Sequence, residues 1–475
     1  MSRVMRMTLE EWRWMLRNRI AVAGMVLLML LTAVATLTAH ENQRVVSQER
    51  HRYQSQVNDE FDAQPDRHPH RMVHYGHFLF RPLNPWAAFD AGIDAYTGHT
   101  LFLEGHRQNS ANFGDVRQSS LLLRFGRLTP AFVLQVLAPL LLVFIGYASV
   151  VRERESGTLR ILLAQGVKAR QILAAKLLAL SGVAGLMLLP AALAVAWVAL
   201  GTDVAVLSAA LLMVAYALWL FFWVAVVVLA SSFCAASRDA LLALLVLWAV
   251  AIILVPRLLP DVVNAAVPLP SRFETDINVT RDMKALGDGH NPDDPYFAAF
   301  RQKILAQYGV QKVEDLPVNY KGLVGMEGER LTSQLFDQYA GKSFDTQSQQ
   351  GRLVRLVGVV SPAIALRHFS MTVSGTDLES YQRFLAQGER YRYDMVQSLN
   401  RLQAEKVSYA EDRNPAIKKR VDRANWQQLP DFMYQAEGLC ATLRRALPDV
   451  FVLLLWLAAT VGLMPLACRR LGRVN

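Results

Sequence analysis

Long apolar runs alternate with polar segments along the chain, and this pattern predicts membrane-spanning helices. Crossing about 30 Å of hydrocarbon takes roughly 20 residues of α-helix. The first run is longer than the apolar core of a secretory signal and has no clean small-residue cleavage motif after it, so we interpret it as a retained anchor. An all-α membrane protein is therefore predicted, with six transmembrane helices at residues 20–38, 130–151, 177–202, 207–231, 240–256 and 450–468.

Two long polar segments, residues 39–129 and 257–449, share the side of the membrane opposite to both termini. The second is predicted to be mainly helical, because Thr376 and Glu379 have capping-box spacing and apolar residues follow at intervals of three and four. The first contains four prolines and is predicted to be rich in loops. The apolar stretch 357–366 is too short to span, so we expect it in the core of this domain or on the membrane surface.

The basic residues are concentrated in short segments that flank the apolar runs. The chain carries 50 Lys and Arg against 40 Asp and Glu, and its net charge of +10 could suit nucleic acid or an anionic membrane. All of the excess lies in residues 1–19, 152–176 and 469–475, whereas the two long polar segments are balanced. Because such segments remain on the cytoplasmic side, this distribution predicts a multi-pass protein of the bacterial inner membrane with both termini cytoplasmic and no nucleic-acid partner.

Residues 1–19 are predicted to form an amphipathic helix along the membrane interface. Thr8 and Glu11 have the spacing of a capping box, and Leu9 and Leu16 share one helical face with a tryptophan. Aromatic residues at headgroup depth and arginines directed at anionic lipid are typical of such helices. An ordinary juxtamembrane anchor would have the same composition. The residues assigned to the interface are Trp12, Arg13, Trp14 and Arg17.

Residues 152–176 combine a Glu-Arg-Glu cluster, a Gly-Thr-Leu triplet and a later Arg-x-Ile-Leu. This combination resembles the signature of ABC-2 type transporter permeases, although Val167 stands where the family usually has proline. The resemblance implies a coupling helix that docks on a separate cytoplasmic ATPase subunit, with residues 1–19 as the elbow helix. Taken without the resemblance, the charges of this loop would serve only to set topology. The matching positions assigned to ATPase coupling are Glu153, Arg154, Glu155, Gly157, Thr158, Leu159, Leu162, Leu163 and Arg170.

Nearly the whole chain resembles the ABC-2 subgroup with a large extracytoplasmic insert between the fifth and sixth helices, and more distantly the nitrous-oxide-reductase maturation permease. The resemblance implies a type V exporter-like architecture and a permease pair, homodimeric or heterodimeric, that works with two ATPase subunits. It also implies export of an amphipathic, lipid-like or peptide substrate. One alternative is a mechanotransmitter that acts on a periplasmic partner without moving cargo, and another is a receptor-like protein without an ATPase. The segments that carry the resemblance are residues 77–82, 102–109, 318–323 and 367–377.

The chain lacks nucleotide-binding motifs of its own. The triplet Gly341-Lys-Ser343 is similar to the end of a P-loop, but Phe336 occupies the position where the first glycine is needed. We therefore predict a non-enzymatic subunit without a cofactor, while ATP and Mg²⁺ bind to the partner ATPase. Three widely spaced cysteines also predict neither a disulfide framework nor a CxxC metal site.

Histidines are concentrated in the first polar segment, where eight of the ten fall between His40 and His106. If the stretch around them were helical, His70 and His74, or His74 and His77, could share a Zn or Cu ion. Pro69 argues against a helix through its start, and no cysteine or carboxylate cluster completes the set. A metal site at His70, His74 and His77 is one interpretation, and a surface-exposed, partly structural loop is the other.

Overall fold

The computed structural model describes residues 2–94, 96–109, 128–201, 206–287, 289, 291, 293–414 and 419–472. Six of the described helices are long and apolar enough to cross a membrane, which confirms the prediction of six spans. They are span 1 (Arg19–Asp62), span 2 (Pro130–Glu155), span 3 (Ala169–Leu200), span 4 (Val206–Phe233), span 5 (Ser237–Ala266) and span 6 (Leu439–Gly472).

Shorter α-helices, two strands and three 3-10 turns (Pro85–Ala88, Val313–Asp315 and Arg423–Asn425) lie outside the spans in the described part of the chain. Outside the spans, the helices in chain order are α1 (Arg3–Arg17), α2 (Pro69–Val73), α3 (Thr158–Ala164), α4 (Arg272–Leu286), α5 (Pro295–Tyr308), α6 (Tyr320–Val360), α7 (Pro362–Ser374), α8 (Leu378–Lys406) and α9 (Tyr409–Asp412). Strands β1 (His77–Phe80) and β2 (Thr100–Leu103) form an antiparallel pair in which His77 lies opposite Leu103. We call the end of the bundle with α1 and α3 the basic end, and residues 39–109 and 267–438 the polar domain.

Span 4 occupies the centre of the bundle. Tyr216, Trp219 and Trp223 on this helix are completely buried. Because lipid is as apolar as leucine, close packing and hydrogen bonds stabilise such a bundle more than removal from solvent does. Two of these bonds reach span 2, from the Trp219 indole to the Leu134 carbonyl at 3.2 Å and from the Gln135 amide to the Tyr216 hydroxyl at 2.7 Å. In the most apolar stretch of span 4, 61% of the residues are buried within the chain, against 6% in the corresponding stretch of span 5.

Span 1 continues far beyond its apolar part. The helix has 44 residues, so it is about 66 Å long and runs without a break from the bundle into the polar domain. The prediction of a loop-rich segment from residue 39 is therefore wrong for residues 39–62, which lack proline and glycine and are rich in good helix formers. The Gln54 side chain of this extension holds strand β1, because it donates to the Phe78 carbonyl and accepts from the Phe80 amide.

Both predicted capping boxes are wrong by position. Helix α1 begins earlier than expected, with Ser2 accepting from the Met5 amide at 3.3 Å, and Thr8 lies inside the helix. Helix α8 is capped by Asp377, which accepts from the Ser380 amide at 3.1 Å. Thr376, one residue earlier, donates to the Asp90 carbonyl instead. In both cases another residue with a short polar side chain, Ser2 or Asp377, is the N-cap in place of the predicted threonine.

Helices α6 and α7 form a corner that packs against the spans. Ser361 separates them and Pro362 begins α7, so residues 357–366 include the last turn of α6 and the first of α7. Leu366 belongs to the same buried apolar cluster as the spans, and Ile364 packs in a smaller cluster with Leu259 and Val263 of span 5. The stretch therefore packs partly on the spans and not in the core of the polar domain, while Val359 and Val360 are exposed. Ser370 of α7 lies 2.9 Å from the Tyr216 hydroxyl, and the Val359 carbonyl accepts from the Trp456 indole at 2.8 Å. The polar domain is thereby joined to spans 4 and 6.

Candidate functional site

Helix α3 projects from the basic end with one buried and one exposed face. It follows Gly157, whose φ of +75° lies in the left-handed region that glycine adopts without a side-chain clash. Leu159 is completely buried, and Leu162 and Leu163 pack partly buried against the bundle. The three predicted leucines therefore anchor α3, while Thr158 is exposed at its start. The outward face carries an exposed arginine, Arg160, and Ile161, whose side chain is 57% exposed.

Glu153 belongs to a group of four charged residues that we call the hub: Glu11, Arg152, Glu153 and Lys176. The Lys176 ammonium donates to Glu153 of span 2 at 2.9 Å and also to Glu11 of α1. Arg152 donates to Glu11 at 3.3 Å, and Glu153 accepts from the Thr158 hydroxyl at the start of α3. Only 5% of the Lys176 side chain is exposed. The hub thus joins α1, span 2, α3 and the start of span 3.

Arg154 and Glu155 each hold the end of a different helix. The Arg154 guanidinium donates to the carbonyls of Ser232, at 2.9 Å, and Cys234, where span 4 leaves its last carbonyls unpaired. Glu155 accepts from the Ser237 amide at 2.7 Å and from its hydroxyl at 2.6 Å, at the first residue of span 5. The Glu-Arg-Glu cluster therefore has intramolecular partners on four elements, α3 and spans 3, 4 and 5, and its contact with an ATPase stays a prediction.

Helix α1 lies along the coupling segment. Arg3 donates to the Gly166 carbonyl at 3.0 Å, and Trp12 packs against Gly182 of span 3 so closely that a Cβ there would lie 2.5 Å from its ring. The guanidinium of Arg152 stacks on Trp14 at 3.7 Å. Of the four residues predicted for the elbow, Trp14 thus contacts the coupling segment and Trp12 contacts span 3 beyond it. Arg13 and Arg17 are exposed, as is Arg170 at the start of span 3.

Several functional candidates were not predicted. Lys176 is the last residue of the segment that carries the resemblance, but no role was predicted for it. Its pairing with Glu11 joins residues 165 positions apart, and the local sequence pattern holds no signal for such a contact. Ser237 and Arg152 were likewise not predicted, because their partners Glu155 and Glu11 lie far away in the sequence. Ile161 could have been identified, because it is the large apolar residue of α3 that lies off the face shared by Leu159, Leu162 and Leu163.

Histidines of the polar domain form a second candidate site. The ligand atoms of His70, His74 and His106 all lie within 4.8 Å of one another. The predicted third member, His77, is wrong: the chain turns at Gly76, and His77 begins β1 with its ring packed edge-on against Phe61. The His77 side chain is buried, which lowers its pKa to about 4.

A buried ion cluster contacts His106, one of the three histidines. Glu329 of α6 accepts from the His106 amide at 2.9 Å and lies 3.3 Å from its Nδ1. Arg392 of α8 contacts Glu329 and Glu389 at 2.6 Å each. Burial alone would raise the pKa of Glu329, but the hydrogen bonds from His106 and the charge of Arg392 outweigh it and lower that pKa to about 2. Glu329 is therefore a carboxylate at neutral pH.

A cavity of about 1200 Å³ opens beside this cluster, between α4, α6, α8 and the end of β2. Its wall is amphipathic, because aromatic rings alternate with charged groups of both signs. The lining includes four tyrosines and four arginines, among them Tyr96, Tyr339, Tyr381, Tyr393, Arg272 and Arg330.

Two known families match different parts of the chain, with an overlap at residues 272–285. A model described as "ABC-2 family transporter protein" matches residues 5–285, which include α1, the first five spans and the coupling segment. A second, described as "Domain of unknown function (DUF3526)", matches residues 272–435 of the polar domain. No curated protein matches the chain. Since the first match covers more than half of its length, the chain belongs to the ABC-2 family of transporter proteins, as a membrane permease component whose family works with a separate ATP-binding subunit.

Proposed function

We propose that this chain is the inner-membrane permease subunit through which a cytoplasmic ATPase subunit drives work on the opposite side of the membrane. The observation that carries the proposal is the two-faced helix α3. Its buried Leu159 and the link from Thr158 to Glu153 tie it to the bundle, while Ile161 remains exposed. A partner that pushes on α3 would therefore act on spans 2 and 3 together, because the hub joins both.

The basic end would face the cytoplasm. Its segments carry the excess of Lys and Arg that holds loops on that side of a membrane. An exposed isoleucine beside an exposed arginine is suited to a groove with an apolar floor and an acidic rim. Both termini would then be cytoplasmic, and the polar domain would lie in the periplasm.

The docking proposal is tested by purifying the tagged chain from its native host in mild detergent and identifying ATPase subunits by mass spectrometry. We expect Ile161→Asp to lower recovery of an ATPase at least tenfold, because a carboxylate would enter an apolar contact. Arg160→Glu should also weaken it, whereas Arg238→Glu serves as the matched control, since its side chain is 90% exposed at the same end. Equal recovery of the ATPase with Ile161→Asp and wild type would reject α3 as the docking element.

We propose export of an amphipathic, lipid-like or peptide substrate as the work performed. Support comes from span 5, which leaves a large apolar surface uncovered by this chain, including Val246, Ile253 and Leu254. A second permease, identical or related, would cover part of that surface, and a substrate with an apolar moiety could move along the remainder. Ionisable residues are missing from the six apolar runs, so a cargo with an apolar portion fits better than a small ion.

A second candidate is mechanical action on a periplasmic partner without cargo. It is favoured by the rigid connections between the bundle and the polar domain, where span 1 continues as one helix to Asp62 and α7 packs on spans 4 and 6. Through these connections a movement of the spans would also displace the polar domain and its cavity, where a partner segment could bind.

Reconstitution of the complex in vesicles separates the two candidates. Export predicts ATP-dependent loss or gain of a fluorescent lipid or of a labelled peptide across the bilayer. Mechanical action predicts ATP hydrolysis with neither probe moved, and a rise in hydrolysis when a periplasmic extract is added. If the Lys176→Met complex hydrolysed ATP at the wild-type rate, both candidates would be contradicted, because export and mechanical action each require transmission through the hub.

A further inference from the structure

We propose that His70, His74 and His106 form a binding site for a divalent cation of the Zn²⁺ class in the polar domain. The three rings meet at one point of the surface although His106 lies more than 30 positions from the other two. Ring centroids are 4.7 Å apart for His70 and His74, 5.4 Å for His74 and His106, and 6.3 Å for His70 and His106. Imidazole nitrogens bind Zn²⁺ at about 2.0–2.1 Å, so small side-chain rotations would bring all three onto one ion.

The backbone is shaped to bring His106 to this point. The residue before it, Gly105, lies so close to Val73 of α2 that a Cβ would fall 2.3 Å from Val73 Cγ1. His106 itself has a φ of +63°, and it is the one non-glycine residue with a positive φ in the described part of the chain. Residues other than glycine adopt this conformation rarely, and such strain is concentrated at functional sites. A close approach and a strained backbone therefore place the His106 ring beside the end of α2.

Glu329 orients His106 for metal binding. Its carboxylate lies 3.3 Å from Nδ1 of the imidazole and accepts the backbone N–H at 2.9 Å. Contact with Nδ1 makes Nε2 the nitrogen directed at a metal, and a carboxylate behind a ligating histidine is the usual second layer of a Zn site. The carboxylate is in turn held by Arg392, so the orientation extends into the core of the polar domain.

The donor set selects the class of ion. Three neutral imidazoles suit Zn²⁺, Cu²⁺ or Ni²⁺, whereas Mg²⁺ and Ca²⁺ prefer carboxylate and carbonyl oxygens. Three protein ligands leave a fourth position for water or for a group from a bound molecule. A bound ion would connect the α2–β1 region to α6 and α8 through Glu329. We therefore expect it to stabilise the polar domain.

The experiment uses the full chain in detergent, purified without a histidine tag, stripped with a chelator and titrated with Co²⁺ as the probe. Wild type should bind one Co²⁺ per chain with the visible absorption of a low-coordinate nitrogen site, and Zn²⁺ should displace it and raise the melting temperature. Mg²⁺ should do neither. His74→Ala removes an exposed ligand and should lower Co²⁺ affinity at least tenfold while the metal-free protein melts as wild type does.

The matched control is His51→Ala, an exposed histidine on the extension of span 1, which should leave Co²⁺ binding unchanged. Glu329→Gln should lower the affinity by about 10- to 100-fold with His106 still present. Its metal-free melting temperature separates this effect from a loss of folding, in which case His70→Ala takes its place. Wild type without the absorption, or equal Co²⁺ affinity in His74→Ala and His51→Ala, would overturn the proposal.

Discussion

The hub at the basic end and the ion cluster of the polar domain are built from similar groups but differ in burial. In each, a cation lies between two carboxylates: Lys176 between Glu11 and Glu153, and Arg392 between Glu329 and Glu389. Side chains of the hub are 5–27% exposed, and those of the cluster 0–9%.

Their burial decides what each can do. Lys176 is itself buried, but Glu11, Glu153 and Arg152 of the hub are 13–27% exposed and can exchange a partner for water at small cost. A fully buried charge that loses its partner is instead strongly destabilising. The hub also joins four elements, namely α1, span 2, α3 and span 3. The cluster joins the two long helices α6 and α8. We therefore expect rearrangement at the hub during ATP turnover and a rigid polar domain that moves as a body.

The largest expected effect comes from Arg392→Met, which leaves Glu329 and Glu389 buried without their cation. Breaking a buried ion pair costs about 3–5 kcal/mol, so we expect a large fall in melting temperature and in folded yield. Arg390→Met is the matched control, because this arginine lies two positions away and is exposed. Similar melting temperatures of the Arg392→Met and Arg390→Met variants would contradict the claim that the ion cluster holds the polar domain rigid.

Acid should destabilise the polar domain through His77. Its folded pKa of about 4 lies below the ordinary value of 6.5, so folding favours the neutral ring. This contribution is complete above pH 6.5 and is lost as the pH falls towards 4, by up to about 3 kcal/mol. His77→Phe should therefore flatten the decline of melting temperature between pH 6.5 and 4, whereas His51→Gln should not. An unchanged pH profile in His77→Phe would contradict the assignment.

A smaller effect on stability is expected for Lys176→Met in the hub. Arg152 and water remain to solvate the two carboxylates, so we expect a cost of about 1–2 kcal/mol, below that of Arg392→Met. Coupling should suffer more than stability. The measurement is the ATP hydrolysis rate of the ATPase subunit, alone and in complex with the wild-type or the Lys176→Met permease. Lys168→Met, an exposed lysine of the same segment, should keep wild-type values. A drop in melting temperature as large as that of Arg392→Met would remove the difference between the two regions.

The smallest effects concern two glycines in open space. Gly157 has a φ of +75°, and Gly157→Ala should cost about 1 kcal/mol from backbone strain alone, since no atom lies within 4 Å of a Cβ there. Gly351 lies inside helix α6 with the same free space, so Gly351→Ala should stabilise by about 0.5–1 kcal/mol. Opposite signs in melting temperature are the expected result. Destabilisation by Gly351→Ala would mean that this face of α6 is covered in the complex.

The six spans could be predicted from the sequence because the requirement is local. A run of apolar residues of sufficient length must be a helix in hydrocarbon, where every backbone polar group needs an internal partner. The continuation of span 1 to Asp62 was missed, since the change from apolar to polar residues marks where the membrane ends and not where the helix ends. The four prolines in residues 65–85 then suggested loops for the whole segment 39–129, although its first quarter, residues 39–62, has no proline or glycine.

For the site, the sequence determined the residue types and their order: the Glu-Arg-Glu cluster, the coupling segment and the crowding of histidines before His106. Only the tertiary structure decided the partners, because these lie on other elements. Lys176 finds Glu11 through the packing of α1 on span 3, and His106 replaces His77 beside His74 because the chain reverses between α2 and β1. Contacts over such separations depend on how helices pack, and no periodicity within a single segment encodes that packing.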